Sequence, residues 1–342
     1  MAAPDRGAKW LRLCALLLGL LPLVLLLGCT LEQYPQSAMH PRSDYAIWLQ
    51  DLLEGLVFWV VLIFVLVEGA LIVAVIRFRA RPGMPDPKPV HGHTGLEIAW
   101  TIAPALILAA VAVPTVATVF KTQSKAPAGA LQVEVIGHQW WWEFRYPEYQ
   151  ITTANELHVP VGRTVSVSLA TADVIHSFWF PAMGGKRDVV PARTNHMWFT
   201  PNSTGEFPGQ CAELCGISHA NMRMKLFVRT PEEFDAWVVA QRAGPAEPDT
   251  LSTEARGKQV FMTAGCVACH TINGVSNGVL GPNLTHVGGR STIAAALFDN
   301  TPHELGKWIA DPPARKPGTS MLKLPMSPDQ LADLVAYLTS LK

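Results

Sequence analysis

The chain has 342 residues and a formal net charge of zero, so its charge gives no indication of a nucleic-acid partner. Hydrophobic residues make up 49% of the sequence and charged residues only 16%, a balance that favours a membrane-associated protein. The length suggests two or three structural units. The 6 cysteines form three separate pairs, which leaves none for a disulfide framework.

Residues 1–28 have the pattern of a secretory signal, with a basic segment followed by an apolar run over 13–27. The run ends at Leu26-Leu27-Gly28-Cys29, which resembles a lipoprotein processing box. This resemblance implies cleavage before Cys29 and a lipid on its sulfur. An uncleaved anchor helix is the alternative, although the run is short for a full bilayer span.

Two longer apolar segments, 52–76 and 96–119, each exceed the roughly 20 residues that a helix needs to cross a bilayer. The loop between them is rich in proline and contains Arg77, Arg79, Arg81 and Lys88. Because positive charge is enriched on the cytoplasmic side, we expect this loop inside and everything after Lys121 outside. We therefore predict an extracytoplasmic segment over 29–50 and a transmembrane hairpin over 51–121.

Glu97 lies near the cytoplasmic end of the second apolar segment. Ionisable residues inside a membrane are candidates for function, and this position makes Glu97 one of them. The alternative is an interfacial carboxylate that reaches water, because the end of a span is the least costly place for a charge.

A β domain is predicted over residues 128–232. Apolar and polar residues alternate over 131–136 and 164–169, and Gly- and Pro-containing turns separate several short runs, which favours a β-sandwich or small barrel. The domain also contains three consecutive tryptophans, Trp140, Trp141 and Trp142. Core packing is the ordinary explanation of such a cluster, and we expect it for Trp141 and Trp142.

Residues 211–222, the copper loop, offer two thiolates, an imidazole and a thioether, and a second imidazole, His176, lies upstream. This soft donor set suits copper better than magnesium or calcium. One Cys, two His and one Met would indicate a mononuclear blue-copper site. The second Cys changes the count, because two sulfurs can bridge two coppers with one His for each. A disulfide between Cys211 and Cys215 or a structural zinc site are the alternatives, but neither explains the nearby Met222.

Residues 241–252 contain Gly and Pro and little that could pack, so they are predicted to be a linker to a last unit, 253–342. Cys266-Val267-Ala268-Cys269-His270 is the C-x-x-C-H signature of c-type haem attachment. The two sulfurs would form thioethers to the porphyrin and His270 would bind the iron. A thioredoxin-like C-x-x-C is the alternative, but the βαβ context it needs is missing from the sequence pattern.

The flanks of this motif predict helices over 254–263 and 328–341, and they resemble small cytochromes c. Gly281-Pro282-Asn283-Leu284 resembles the loop that supports the proximal His. Pro317-Gly318-Thr319-Ser320-Met321 resembles the segment that supplies the opposite axial ligand, so we predict Met321. Met326 is the rival, and His286 and His303, expected on exposed loops, are weaker candidates.

Taken together, these motifs resemble subunit II of haem–copper cytochrome c oxidases with a fused cytochrome c domain, over essentially everything after the signal. The resemblance implies a multidomain fold: a two-helix transmembrane hairpin, an all-β cupredoxin Greek-key barrel and an all-α cytochrome c domain. It implies a binuclear copper centre, CuA, and places its ligands residue by residue: His176, Cys211, Cys215, His219, Met222 and the backbone carbonyl of Glu213. The Glu213 carboxylate would face a magnesium ion at the subunit I interface.

The same resemblance implies roles for three further residues. Trp140 would be the position where electrons enter CuA, Glu97 would lie at the mouth of a proton channel, and Asp173 would be an interface acid unless it only caps a turn.

The implied function is the transfer of electrons from an external cytochrome or other donor through covalent haem c to CuA. Subunit I would then reduce oxygen to water with proton translocation. The implied setting is a multi-pass protein of the bacterial plasma membrane, in contact with lipid and with subunits I and III, with both redox domains on the periplasmic side. Two alternatives stay open: the electron-input subunit of a CuA-containing nitric oxide reductase, and a non-enzymatic tethered electron carrier or copper-delivery protein.

Overall fold

The computed structural model describes residues 36–86, 88–89 and 91–342. The predicted signal over 1–28 and the lipidation site at Cys29 lie outside the described residues. The hairpin, the β domain and the helical C-terminal domain follow one another along the chain in the predicted order.

Two long apolar helices come first, α1 (Asp44–Arg77) and α2 (Thr94–Thr122), and both are long and apolar enough to cross a membrane. Each predicted span is therefore a helix, although α1 begins well before the apolar run at residue 52. The Ser43 hydroxyl caps its start by accepting from the Ala46 amide. Tyr45 and Ala46 are buried, because the first turns of α1 pack against the β domain instead of lipid. Helix α2 runs through Pro104 and Pro114.

The β domain consists of two five-stranded sheets. The first contains β1 (Leu131–His138), β2 (Trp141–Tyr146), β3 (Ile151–Ala154), β5 (Val165–Thr171) and β8 (Asn195–Phe199), in the order β3-β2-β1-β5-β8. The second contains β4 (Glu156–Pro160), β6 (His176–Trp179), β7 (Arg187–Val189), β9 (Gly205–Cys211) and β10 (Arg223–Arg229), in the order β4-β10-β9-β6-β7.

Alternation along the strands builds the core between these sheets. In β1, Leu131, Val133 and Val135 are buried and the residues between them are exposed, as the period of two predicts. The β1–β5 and β4–β10 pairs are parallel and the other pairs are antiparallel. The predicted all-β cupredoxin fold is confirmed, and we call this unit the cupredoxin domain.

Helix α3 (Pro231–Arg242) closes the cupredoxin domain, and residues 243–252 then lead to the next helix without regular structure. The C-terminal unit, called the cytochrome domain, contains helices α4 (Thr253–Thr263), α5 (Pro302–Ala310), α6 (Pro312–Arg315) and α7 (Pro328–Ser340). Helices α4 and α7 cover the two segments predicted from sequence. The loops between the helices contain two short antiparallel strand pairs: β11 (Thr271–Ile272) with β12 (Ser276–Asn277), and β13 (Thr292–Ile293) with β14 (Phe298–Asp299).

Candidate metal and haem sites

The sulfur and imidazole donors of the copper site converge at one end of the cupredoxin domain. Cys211 ends β9, His176 begins β6, and the copper loop connects β9 to β10. His176 and Met222 have 0% exposure and Cys215 has 3%, and both cysteines and Met222 belong to the apolar core of the domain. The folded strands therefore fix the donors in a water-poor setting.

The donors form a chain of close neighbours. Cys211 Sγ lies 3.9 Å from His176 Nδ1 and 3.7 Å from Cys215 Sγ. Cys215 Sγ in turn lies 3.6 Å from His219 Nδ1 and 3.8 Å from Met222 Sδ. Both thiols are free, so the cysteines are not joined in a disulfide. The two sulfurs stand between the two imidazoles, and this soft donor set fits copper.

The backbone carbonyl and the side-chain carboxylate of Glu213 point in different directions. Its carbonyl oxygen lies 3.3 Å from Cys211 Sγ, within the donor cluster. Its carboxylate is part-exposed and lies 3.4 Å from the Lys186 ammonium. The carboxylate therefore points out of the cluster and pairs with a lysine of the same chain.

Asp173 orients the buried His176 from outside the donor set. Its carboxylate lies 2.8 Å from His176 Nε2 and accepts from the Gln139 amide at 2.7 Å. Burial would raise the pKa of Asp173, but these hydrogen bonds outweigh it and hold the pKa below its usual value. Burial would lower the pKa of His176, but contacts with Cys211 and Asp173 outweigh it and raise that pKa. Asp173 thus fixes Nε2 and leaves Nδ1 for a metal.

The two cysteine sulfurs shift each other's pKa in opposite directions. A hydrogen bond from Cys215 lowers the pKa of Cys211 to about 3, and its contact with Cys211 raises the pKa of Cys215. Both cysteines would bind metal as thiolates, so metal binding would release their protons.

The three tryptophans occupy different environments. Trp142 is fully buried in the domain core, so the packing role predicted for it is confirmed. Trp141 stacks on His138 at a ring-centroid distance of 4.1 Å. Trp140 is only 8% exposed and its Nε1 donates to the Cys215 carbonyl at 3.1 Å. Its ring therefore covers the copper loop.

The haem-attachment motif follows α4, and its histidine is held by the predicted supporting loop. His270 Nδ1 lies 2.8 Å from the Pro282 carbonyl, so Nε2 is the nitrogen left to bind iron. Burial lowers the pKa of His270, which favours the neutral ring that a metal requires. A Cβ at Gly281 would lie 2.6 Å from the imidazole, so only glycine permits this close approach. Cys266 and Cys269 are part-buried beside it.

Both candidate axial methionines lie against the cytochrome-domain core. Met321 and Met326 are part-buried and pack on the same apolar cluster as Cys266 and Leu284. This apolar lining suits a porphyrin edge and accommodates either methionine. The prediction of an exposed loop was wrong for His286, which is 7% exposed because its ring nitrogens bond to Lys342 and Gln241 carbonyls. His303 is exposed, as predicted, but it lies in the first turn of helix α5 and not on a loop.

Lys316 is a residue that the sequence did not indicate. Its side chain is buried and donates to the Trp140 carbonyl at 2.6 Å and to the Ala294 carbonyl at 3.1 Å. Burial lowers the pKa of Lys316 to about 7. Lys316 is buried where the cytochrome domain contacts the cupredoxin domain. A contact between distant segments leaves no local pattern in the sequence.

Glu97 lies in the first turn of α2 with an exposed side chain. Its backbone carbonyl accepts from the Thr101 hydroxyl at 2.7 Å. This end of α2 adjoins the basic loop that contains Arg79 and Arg81.

Three family models match successive parts of the chain. The model described as cytochrome C oxidase subunit II, transmembrane domain, matches residues 30–118. The one described as cytochrome C oxidase subunit II, periplasmic domain, matches residues 150–228. The one described as cytochrome c matches residues 254–342. With the two spanning helices, these matches indicate a membrane protein with a periplasmic domain, and they imply copper and haem c as cofactors.

Known relatives match over most of this length. Cytochrome c oxidase subunit 2 of Alkalihalophilus pseudofirmus is 39% identical over 325 residues, covering 93% of this chain and 94% of the relative. The protein of the same name from Bacillus sp. strain PS3 is 38% identical over 288 residues, covering 78% and 80%. Among solved structures, the periplasmic domain of subunit II of cytochrome oxidase of Bradyrhizobium japonicum is 36% identical, with a TM-score of 0.33, and covers 34% of this chain and 96% of that one.

Proposed function

The chain belongs to the cytochrome c oxidase subunit II family, and from this premise we propose that it is the electron-input subunit of a haem–copper oxidase. Electrons pass from an external donor to covalent haem c, then to a binuclear copper centre, and then to subunit I. Subunit I reduces oxygen to water and translocates protons. The membrane is the bacterial plasma membrane, and subunits I and III are the partners.

The copper centre is held by His176, Cys211, Cys215, His219, Met222 and the Glu213 carbonyl. The chain of donor distances supports two metals, because the two sulfurs lie side by side and each has its own imidazole within 3.6 to 3.9 Å. When bound, such a copper pair supplies one-electron transfer with the charge shared over two metals. Asp173 keeps His176 in one orientation, and the buried loop excludes water from the sulfurs.

Cys266 and Cys269 would hold haem c through thioethers, and His270 and Met321 would bind its iron. The bond between His270 Nδ1 and the Pro282 carbonyl supports this assignment, because it fixes the ring with Nε2 available. A methionine opposite a histidine raises the potential of the haem, as in cytochromes c.

The main support for this proposal is the contact between the cupredoxin domain and the cytochrome domain at Trp140. The Trp140 indole donates to the Cys215 carbonyl at 3.1 Å, and the Trp140 carbonyl accepts from Lys316 of the cytochrome domain at 2.6 Å. The cytochrome domain thus covers the side of the copper loop where we propose that electrons enter. An external donor therefore delivers its electrons to the haem, and Trp140 mediates the internal step.

The positions of two carboxylates support further family roles. Glu97 lies at the end of α2 next to the basic, cytoplasmic loop, where we propose that it opens a proton channel into subunit I. The outward-facing Glu213 carboxylate is available to a magnesium ion at the subunit I interface once it separates from Lys186.

The burial of the copper donors disfavours a copper-delivery role. A delivery protein needs exposed, exchangeable ligands, whereas His176, Cys215 and Met222 are almost fully buried.

Turnover by the native complex tests the proposal. With a reduced external donor, the purified complex should consume oxygen and not nitric oxide. Cys215→Ser should abolish oxygen consumption while the haem c absorbance of the chain stays unchanged. Faster turnover of nitric oxide would assign the chain to a nitric oxide reductase, and full oxygen turnover by Cys215→Ser would exclude copper from the electron path.

A further inference from the structure

A buried carboxylate links the cupredoxin domain to the cytochrome domain. Glu156 lies on β4, an edge strand of the second cupredoxin sheet, and is 3% exposed. Its Oε1 atom accepts from the amide and hydroxyl of Ser291 at 2.9 and 2.7 Å. It also accepts from the amide and hydroxyl of Thr292, both at 2.9 Å. All four donors belong to the cytochrome domain, so one oxygen atom gathers four interdomain hydrogen bonds.

The segment held by Glu156 leads directly to the loop that supports the haem histidine. Arg290, the residue before Ser291, donates to the Asn283 carbonyl. Asn283 follows Pro282, whose carbonyl accepts from His270. Lys225 adds a weaker contact to the Ser291 hydroxyl at 3.4 Å. A displacement of Ser291 and Thr292 would therefore be transmitted to the His270 loop through a short series of bonds.

A second contact holds the cytochrome domain on the copper loop. Lys316 donates to the Trp140 carbonyl, and the Ser218 hydroxyl donates to the Pro317 carbonyl at 2.5 Å. Gly318 approaches the Trp140 ring so closely that a Cβ there would lie 2.8 Å from it. Together the two contacts fix residues 291–292 and 316–318 on the cupredoxin domain, whereas the linker over 243–252 alone would leave the cytochrome domain free to move.

We propose that Glu156 is a positioning residue for the internal electron-transfer step. Resting on the proposed function, the inference is that Glu156 keeps the cytochrome domain docked with its axial-ligand segment on Trp140, so that haem and copper stay at one separation. The carboxylate suits this role because hydrogen bonds to a charged acceptor are stronger than those between neutral groups, and four donors fix its orientation.

Hydrogen exchange in the assembled complex tests the proposal directly. The Ser291 and Thr292 amides donate to Glu156, so Glu156→Ala should speed their exchange by about thirtyfold, which corresponds to about 2 kcal/mol at about 1.4 kcal/mol per factor of ten. Transfer from photoreduced haem to copper should slow in the same variant, while the haem and copper spectra stay unchanged. The matched control is Glu134→Ala, which removes an exposed carboxylate from the same domain and should alter neither readout.

Unchanged exchange at residues 291 and 292, or unchanged internal electron transfer with faster exchange, would overturn the proposal. If Glu156→Ala does not assemble, Glu156→Gln decides the matter, because it keeps the shape and removes the charge. It should speed exchange at these amides at least about threefold, since charge-assisted hydrogen bonds are roughly twice as strong as neutral ones; no change would contradict the role. The exchange readout needs no electron transfer, so it separates this proposal from the proposed function.

Discussion

Acid should destabilise the cupredoxin domain through one buried histidine, His158. Its ring is sandwiched between Phe227 and Trp237, with centroid distances of 4.6 Å on both sides and interplanar angles of 10° and 11°. The residue is 8% exposed, and its Nδ1 has no hydrogen-bond partner in the part of the chain that the structure describes. Burial, with a smaller contribution from nearby arginines, lowers the pKa of His158 to about 3.

The size of the effect follows from the difference between the two pKa values. An unfolded histidine has a pKa of about 6.5, so between about pH 3 and 6.5 the unfolded chain binds more protons than the fold. The free energy of unfolding therefore falls as the pH falls below 6.5. From pH 7.5 to pH 5 the loss is about 2 kcal/mol, and it continues to grow until the folded ring titrates near pH 3.

Urea unfolding of the detergent-solubilised, copper-loaded protein, followed by the visible absorption of the copper centre, measures this loss. Because other groups also titrate in this range, the test compares variants. His158→Phe keeps an aromatic ring in the stack and should remove about 2 kcal/mol of the pH dependence. His196→Phe removes an exposed histidine of the same domain and should retain all of it. Equal pH dependence in wild type and His158→Phe would show that His158 does not cause the loss of stability in acid.

Three substitutions test the redox sites, and two of them are compared with a second variant. Met321→Ala should abolish the Met–iron charge-transfer band that Met326→Ala leaves intact; the reverse would make Met326 the axial ligand. Gly318→Ala should slow haem-to-copper transfer, because its Cβ would meet the Trp140 ring and push the cytochrome domain away from the copper loop. Gly274→Ala, at a similar φ with open space around it, should cost only about 1 to 2 kcal/mol of stability, and equal slowing in both would contradict this explanation. Asp173→Asn should shift the copper hyperfine couplings with full copper content, and an unchanged spectrum would show that His176 needs no support.

Features that depend on residues close together in the sequence were predictable from the sequence. The two spans follow from unbroken apolar length, and the β1 strand follows from its alternation of buried and exposed residues. The C-x-x-C-H motif and the donors of the copper loop are also short-range patterns, since a loop of a few residues can bring them together. The one distant donor, His176, was included as an upstream imidazole, but its approach to Cys211 depends on the pairing of β6 with β9, which local spacing does not encode.

Features that arise where distant segments meet were not predictable. The burial of His286 depends on the carbonyls of Lys342 and Gln241, and neither residue is near it in the sequence. The early start of α1 depends on the cupredoxin surface that covers Tyr45. Glu156 and Lys316 look like ordinary surface charges in the sequence, because only the docked domains remove them from water.

Electron paramagnetic resonance of the oxidised, fully loaded protein, combined with metal analysis, tests the central claim most directly. We predict one unpaired electron delocalised over two equivalent copper nuclei, with two copper atoms and one haem for each chain. A hyperfine pattern from a single copper nucleus, with one copper atom for each chain, would contradict the sulfur-bridged pair between His176 and His219.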